Sequence, residues 1–268
     1  MRLRHSIPLA VTLGAVSALA IVASVRAGGD KVAYPENWAK DTLYATVDRF
    51  DVKQFRELYA TPAAVEAARK GEPIPSGTVL TLVQYKAQLD AKGAPAKGAD
   101  GKFVKGDLLA YTVMEKRAGW GTEYGDDIRN GEWEYQAFLP DKSVNAKANL
   151  KACFECHKPH AAQDFVISLA GLKGTAPGEV ASPKAGPGVV SVADFLFGPE
   201  KVTVAAGAPV TWFNADASPH QVTLRGPKPQ RTAVMLKGQS VALTFAEAGT
   251  YDYICGLHPN MKGSVEVK

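Results

Sequence analysis

Cysteine is scarce. Only three occur among 268 residues, at Cys153, Cys156 and Cys255. An exported chain usually uses cysteines in pairs as disulfides, yet each of these sits in a motif that binds something else. Histidine is equally sparse, with five in all. Charge of either sign is short of excess: 31 basic against 27 acidic residues give a formal net charge of +4. Without clustered arginine and interleaved aromatics there is no case for nucleic acid. No internal repeat is visible. Beyond residue 27 there is no apolar run long enough to span a bilayer.

The apolar run that does exist is at the N-terminus. Arg2 and Arg4 precede an apolar stretch over 7–25, and Val25-Arg26-Ala27 offers small residues at the two positions a signal peptidase reads. Residues 1–27 therefore read as a signal peptide and imply a periplasmic protein; an uncleaved membrane anchor is the alternative. The remaining length of about 240 residues suits two modest domains. Residues 173–188 are dense in Gly, Pro, Ala and Ser and read as a linker. They separate a domain over 28–172 from one over 189–268.

The first domain is expected to be α+β with an antiparallel sheet. Its opening residues read as polar and aromatic loops. Thr61-Pro62, a helical run over 63–69 and Gly71 form a short capped helix. Residues 78–89, 108–115 and 133–139 read as strands. Between the first two lies a long exposed hairpin loop. Its Lys92, Lys97, Lys102 and Lys105 either steer an acidic redox partner or are simply solvated. In the second domain, short alternating segments over 189–192, 201–205, 209–214, 221–224, 240–245, 249–255 and 263–267 are separated by Gly, Pro and Asp turns. That spacing predicts a Greek-key β-sandwich and makes the chain mainly β overall.

Cys153-Phe154-Glu155-Cys156-His157 has the spacing that attaches a c-type haem through two thioethers and supplies His157 to the iron. A redox-active Cys pair is the alternative, and it lacks the βαβ setting such pairs need. Met114 and His160 are candidates for a sixth iron ligand, but neither is well placed for it, so an open sixth position is expected. In the second domain Cys255, His258 and Met261 lie on one loop. His220 is the only other histidine of that domain. One thiolate, two imidazoles and a thioether are the ligand set of a type 1, or blue, copper site. The other histidines are His5, His157 and His160, so no second, all-histidine copper site can be assembled. The copper domain is expected to transfer electrons.

Two resemblances follow from these residues. Tyr34-Pro-Glu-Asn-Trp38, the Gly77-Thr-Val-Leu-Thr segment, Asn130-Gly-Glu-Trp-Glu-Tyr and the stretch from Cys153 to Ile167 resemble the cytochrome P-460 family, which includes the cytochromes c′-beta. The resemblance implies a mainly β haem domain, five-coordinate iron and a homodimer formed through that domain. P-460 members carry a lysine bonded to the haem and oxidise hydroxylamine. That position falls at Leu82, with Lys86 four residues on. Lacking the lysine, the domain looks more like the cytochromes c′-beta, which bind nitric oxide and other diatomic ligands behind an apolar wall. Trp120, Trp133, Phe138 and Phe165 are the candidates for such a wall. Lys86, Glu132, Asp164 and His160 are the candidates for catalysis. The second domain resembles the plastocyanin, amicyanin and pseudoazurin group of cupredoxins, with Gln221 where the family often has Asn.

The function expected is electron exchange between copper and a haem that takes nitric oxide or a similar nitrogen-oxide ligand, with a further protein as redox partner. A hydroxylamine oxidase with a built-in copper acceptor, and a gas-binding sensor or scavenger, are the other readings.

Overall fold

The computed structural model describes residues 30–175, 183, 184, 186–226 and 229–268. The signal-peptide reading and half of the linker lie outside those residues. No helix among the described residues is long and apolar enough to cross a membrane.

The first domain is a five-stranded antiparallel meander in chain order: β1 Thr42–Arg49, β2 Gln54–Ala60, β3 Val79–Ala87, β4 Lys105–Lys116 and β5 Trp133–Phe138. β3 to β5 form where Val, Thr, Tyr and Leu alternate. β1 and β2 correct the expectation of loops at the start of the domain. Their sequences mix charged and apolar residues because each face carries something polar. The pleat sends Arg56 and Leu58 of β2 to one face and Phe55, Glu57 and Tyr59 to the other. The register of β1 against β2 slips between Leu43 and Ala45. Tyr44 is the extra residue of that bulge, which re-aims its side chain.

The helices lie on one face. α1, Pro62–Lys70, ends at Gly71 with φ 74°, the left-handed conformation that glycine adopts without strain. Its start differs from expectation. The Thr61 hydroxyl makes no cap and has no hydrogen-bond partner. Instead the Thr61 carbonyl accepts from Ala64 and Val65, while its N–H is tied to the Val79 carbonyl at 3.1 Å. α2, Leu150–His157, carries the Cys-x-x-Cys-His motif, and α3, Leu169–Leu172, follows. Phe154 of α2 is fully buried between Tyr124 and Tyr135, with ring centroids 5.1 and 4.7 Å away. That edge-on packing anchors the motif under the sheet. The opposite face is covered by the N-terminal segment, where Val32, Tyr34 and Trp38 pack on Val83, Tyr111 and Phe138.

The second domain is the expected sandwich. One sheet runs β10 (Val222–Leu224), β12 (Gly249–Cys255), β13 (Lys262–Val267) and β8 (Lys201–Val204). The other runs β11 (Ser240–Thr244), β9 (Pro209–Asn214), β6 (Val189–Ala193) and β7 (Leu196–Gly198). β7 is too short to register as an alternation in the sequence. Trp212, Tyr253, Val190, Val210 and Val265 fill the space between the sheets.

Candidate cofactor sites

Three of the residues expected to hold copper, His220, Cys255 and His258, converge at one end of the sandwich. Cys255 closes β12, and its N–H is held by the Met261 carbonyl at 3.1 Å; the Met261 N–H is held by the His258 carbonyl at 2.9 Å. The loop therefore folds back on itself and brings the Cys255 and His258 side chains together. His220 arrives just before β10, fixed by reciprocal backbone bonds with Met235 at 3.0 and 2.7 Å. Cys255 Sγ lies 3.6 Å from His220 Nδ1 and 3.6 Å from His258 Nδ1; the two Nδ1 atoms are 3.4 Å apart. All of these residues, and Met261, are buried.

Electrostatics prepares the donors. His220 Nε2 donates to Asp216 Oδ2 at 2.9 Å, which leaves Nδ1 as the lone-pair atom. Burial lowers the His220 pKa, but Asp216 and Cys255 outweigh it and raise the group above 6.5. Burial raises the Cys255 thiol, but His220 and backbone N–H groups bring it below 9.0. The Gln221 N–H reaches its sulfur at 3.5 Å. Burial, then the neighbouring His220, Arg49 and Arg56, hold His258 at about 2, so it stays neutral. One cysteine sulfur and two imidazole Nδ1 atoms within 3.6 Å of it, with a buried methionine on the same loop, fit copper.

The haem motif faces a cavity of about 430 Å³ between the sheet and α2. Cys153, Cys156 and His157 form its floor; Leu58, Leu80, Leu82 and Met114 come from the sheet. His157 Nδ1 donates to the Phe165 carbonyl at 2.7 Å, leaving Nε2 free as a ligand. Burial is the main reason its pKa falls to about 4. Burial likewise pushes the thiols of Cys153 and Cys156 to about 11 and about 12. Two unpaired thiols and a neutral imidazole beside an apolar slot fit a haem.

Several expectations need correction. None of Trp120, Trp133, Phe138 and Phe165 lines the cavity. Phe138 and Trp120 belong to the cluster on the far face of the sheet. Trp133 turns its Nε1 toward Asp164 at 3.4 Å. Phe165 serves the His157 side instead, with its ring against Gly131, where an added Cβ would lie 3.0 Å away. The wall is not wholly apolar either, since Arg49 and Arg56 enter it. Arg56 hydrogen-bonds Gln54 at 3.1 and 2.8 Å, and burial, followed by Arg49, lowers its pKa to about 9.

The catalytic candidates also lie elsewhere. Lys86 is 62% exposed, 4.0 Å from Asp107, about 13 Å further along β3 than Leu82. No lysine among the described residues lines the cavity. Glu132 accepts the Gly119 N–H at 2.9 Å, and Asp164 pairs with Lys116 at 2.7 Å. His160 is buried beyond α2, and burial lowers its pKa. None of the three borders the cavity.

The cavity has one more wall, which comes from the second domain. Phe195, Ala217, Ser218 and the copper ligand His258 line it together with Cys153 and Cys156. The charge of Cys255 is felt at Cys156. Arg49, Arg56 and Phe195 line the cavity and Asp216 hydrogen-bonds His220, with no sequence motif around any of them. Only the pairing of Val47 with Arg56 and Arg49 with Gln54 across a hairpin brings the two arginines together.

The fold and site define a β-sheet haem domain joined to a copper-binding sandwich. The cytochrome P460 family model matches residues 35–168, and the model of copper-binding proteins of the plastocyanin/azurin family matches residues 188–268. The chain thus belongs to the cytochrome P460 family through its first domain and to the plastocyanin/azurin family through its second. Amicyanin of Paracoccus versutus is 39% identical over 84 residues, covering 30% of this chain and 64% of that protein. Amicyanin-alpha of Methylorubrum extorquens is 37% identical over 114 residues, covering 39% of this chain and 96% of its own length. The chain spans 64% of the two Paracoccus amicyanins. A solved amicyanin variant in its oxidized state is 38% identical, covers 35% of this chain and 97% of that one, and has a TM-score of 0.30.

Proposed function

We propose that this chain passes electrons, in the periplasm, between a type 1 copper site at His220, Cys255, His258 and Met261 and a c-type haem attached at Cys153 and Cys156. The cavity on the sheet side of His157 receives nitric oxide or a similar small nitrogen-oxide ligand. One observation carries this reading: His258 and the Cys-x-x-Cys-His residues line the same cavity. Bound in these sites, copper and haem supply one-electron redox chemistry. The chain's own residues bring the centres close and, by burial, hold the His157 and His258 imidazoles neutral. Leu82 in place of lysine, and the absence of any lysine among the described residues of the lining, favour ligand binding over hydroxylamine oxidation.

Pulse reduction of the holoprotein tests the relay. Electron exchange between the centres at a rate independent of protein concentration is expected; independent reduction of each centre rejects it. Titration of the reduced protein with nitric oxide, followed in the Soret band, tests the ligand. A homodimer formed through the haem domain, and an external redox protein as partner, belong to the same proposal and are read out by light scattering and by partner-dependent reduction.

A further inference from the structure

Between β6 and β7 the chain turns through Asp194 and Phe195, with φ 52° and 58°. Two consecutive non-glycine residues in the left-handed region are uncommon and have to be held. Asp216 holds them. Its Oδ1 accepts the Asp194 N–H at 2.7 Å and its Oδ2 the Phe195 N–H at 3.0 Å. The same Oδ2 accepts from His220 Nε2 at 2.9 Å. A single carboxylate thus fixes both a copper ligand and the direction of the Phe195 ring.

That ring stands between the two domains. On one side it meets His258 and His220 edge-on, with centroids 5.0 and 5.5 Å away. On the other, the guanidinium carbon of Arg49 lies 4.0 Å from its centroid. Arg49 belongs to β1 of the haem domain and is buried. Its planar fork is already set by Asp51, through Nε at 2.8 Å and Nη2 at 2.7 Å. A guanidinium held over an aromatic face among buried residues is a directional attraction. Two residues earlier, Val47 packs on the core of the copper domain.

We propose that Phe195 and Arg49 form a clamp between the domains, set by Asp216, which seats the His258 face of the copper domain on the haem domain. That face is then covered, so the protein it docks is this chain's own haem domain and not an external one. The electron-transfer consequence rests on the function proposed above; the docking does not. A loosened clamp changes the approach geometry of the two centres, to which rates are steeply sensitive.

The test uses the full holoprotein with Phe195→Ala, Phe195→Tyr and Arg49→Gln, compared by small-angle X-ray scattering and pulse reduction. Phe195→Ala and Arg49→Gln are expected to enlarge the radius of gyration and to slow concentration-independent exchange by about tenfold or more. Phe195→Tyr keeps the stack and restores both. The copper EPR signal and the Soret band report that each domain remains folded. Scattering profiles of Phe195→Ala and Arg49→Gln that superimpose on the parent overturn the clamp. Expanded variants of a parent that itself shows no internal exchange leave the clamp standing and reject the relay.

Discussion

Phe165 places its backbone carbonyl 2.7 Å from Nδ1 of His157. It does so from a left-handed conformation, φ 60°, directly after Asp164 at φ 50°. The turn is steadied by the Asp164–Lys116 ion pair at 2.7 Å. The bond raises the basicity of the imidazole that would hold the haem iron. Asp164→Ala is expected to cost about 1.5–3 kcal/mol of stability through the lost charged hydrogen bond. The weakened His157 bond should raise the haem midpoint potential and lower the iron–histidine stretching frequency. Redox titration and resonance Raman spectroscopy check this. An unchanged potential in a folded variant counts against the link.

Asp216 fixes the tautomer of His220. Replacing it with asparagine removes the anionic acceptor of the Nε2–H. Copper affinity is expected to fall about 10- to 100-fold. Chelator competition with the purified protein measures it, and affinity equal to the parent's contradicts the role.

Leu82 lines the cavity, while Lys86 points to solvent beside Asp107. Mass spectrometry of the proteolysed haem peptide is expected to find attachment at Cys153 and Cys156 alone. A third link to a lysine peptide would overturn the placement of β3 and revive hydroxylamine oxidation.

Glu134 is fully buried; Tyr124 donates to its Oε2 at 2.9 Å, and its Oε1 has no hydrogen bond. Burial raises its pKa from 4.5 to about 6 against the pull of Tyr124. Between these values the folded chain holds more protons than the unfolded one. The contribution to stability is complete below pH 4.5 and is lost as pH rises through about 6. Glu134→Gln abolishes this titration. Relative to the parent, the variant is expected to gain about 1–2 kcal/mol between pH 4.5 and 7.5 in urea unfolding. A difference that does not vary with pH would refute the assignment.

What was legible in the sequence was local. Cys153, Cys156 and His157 share one turn of α2, and Cys255, His258 and Met261 share one loop, so spacing alone groups them. His220 followed from there being no other histidine in its domain. β3 to β5 announce themselves by alternation. β1 and β2 do not, because Arg49, Arg56 and Glu57 break the apolar pattern for reasons that lie in the cavity and on the outer face. The aromatic wall was misplaced because composition counts rings without assigning faces: Phe138 and Tyr135 differ by an odd number of residues and so lie on opposite sides of the sheet. Phe195 was invisible, since its partners are scattered along the chain: Asp216, His220 and His258 lie later in its own domain, and Arg49 lies more than a hundred residues earlier.

The wall that Phe195, Ala217, Ser218 and His258 add to the cavity bears on biogenesis. These residues come from the second domain, which is made after the haem domain. Once that domain seats, it closes a side of the slot by which a bulky planar group would enter. Thioether formation at Cys153 and Cys156 is therefore expected to precede seating of the sandwich, with metal loading of the sandwich free to follow. Maturation of this protein becomes an ordered process, imposed by the position of one domain along the chain.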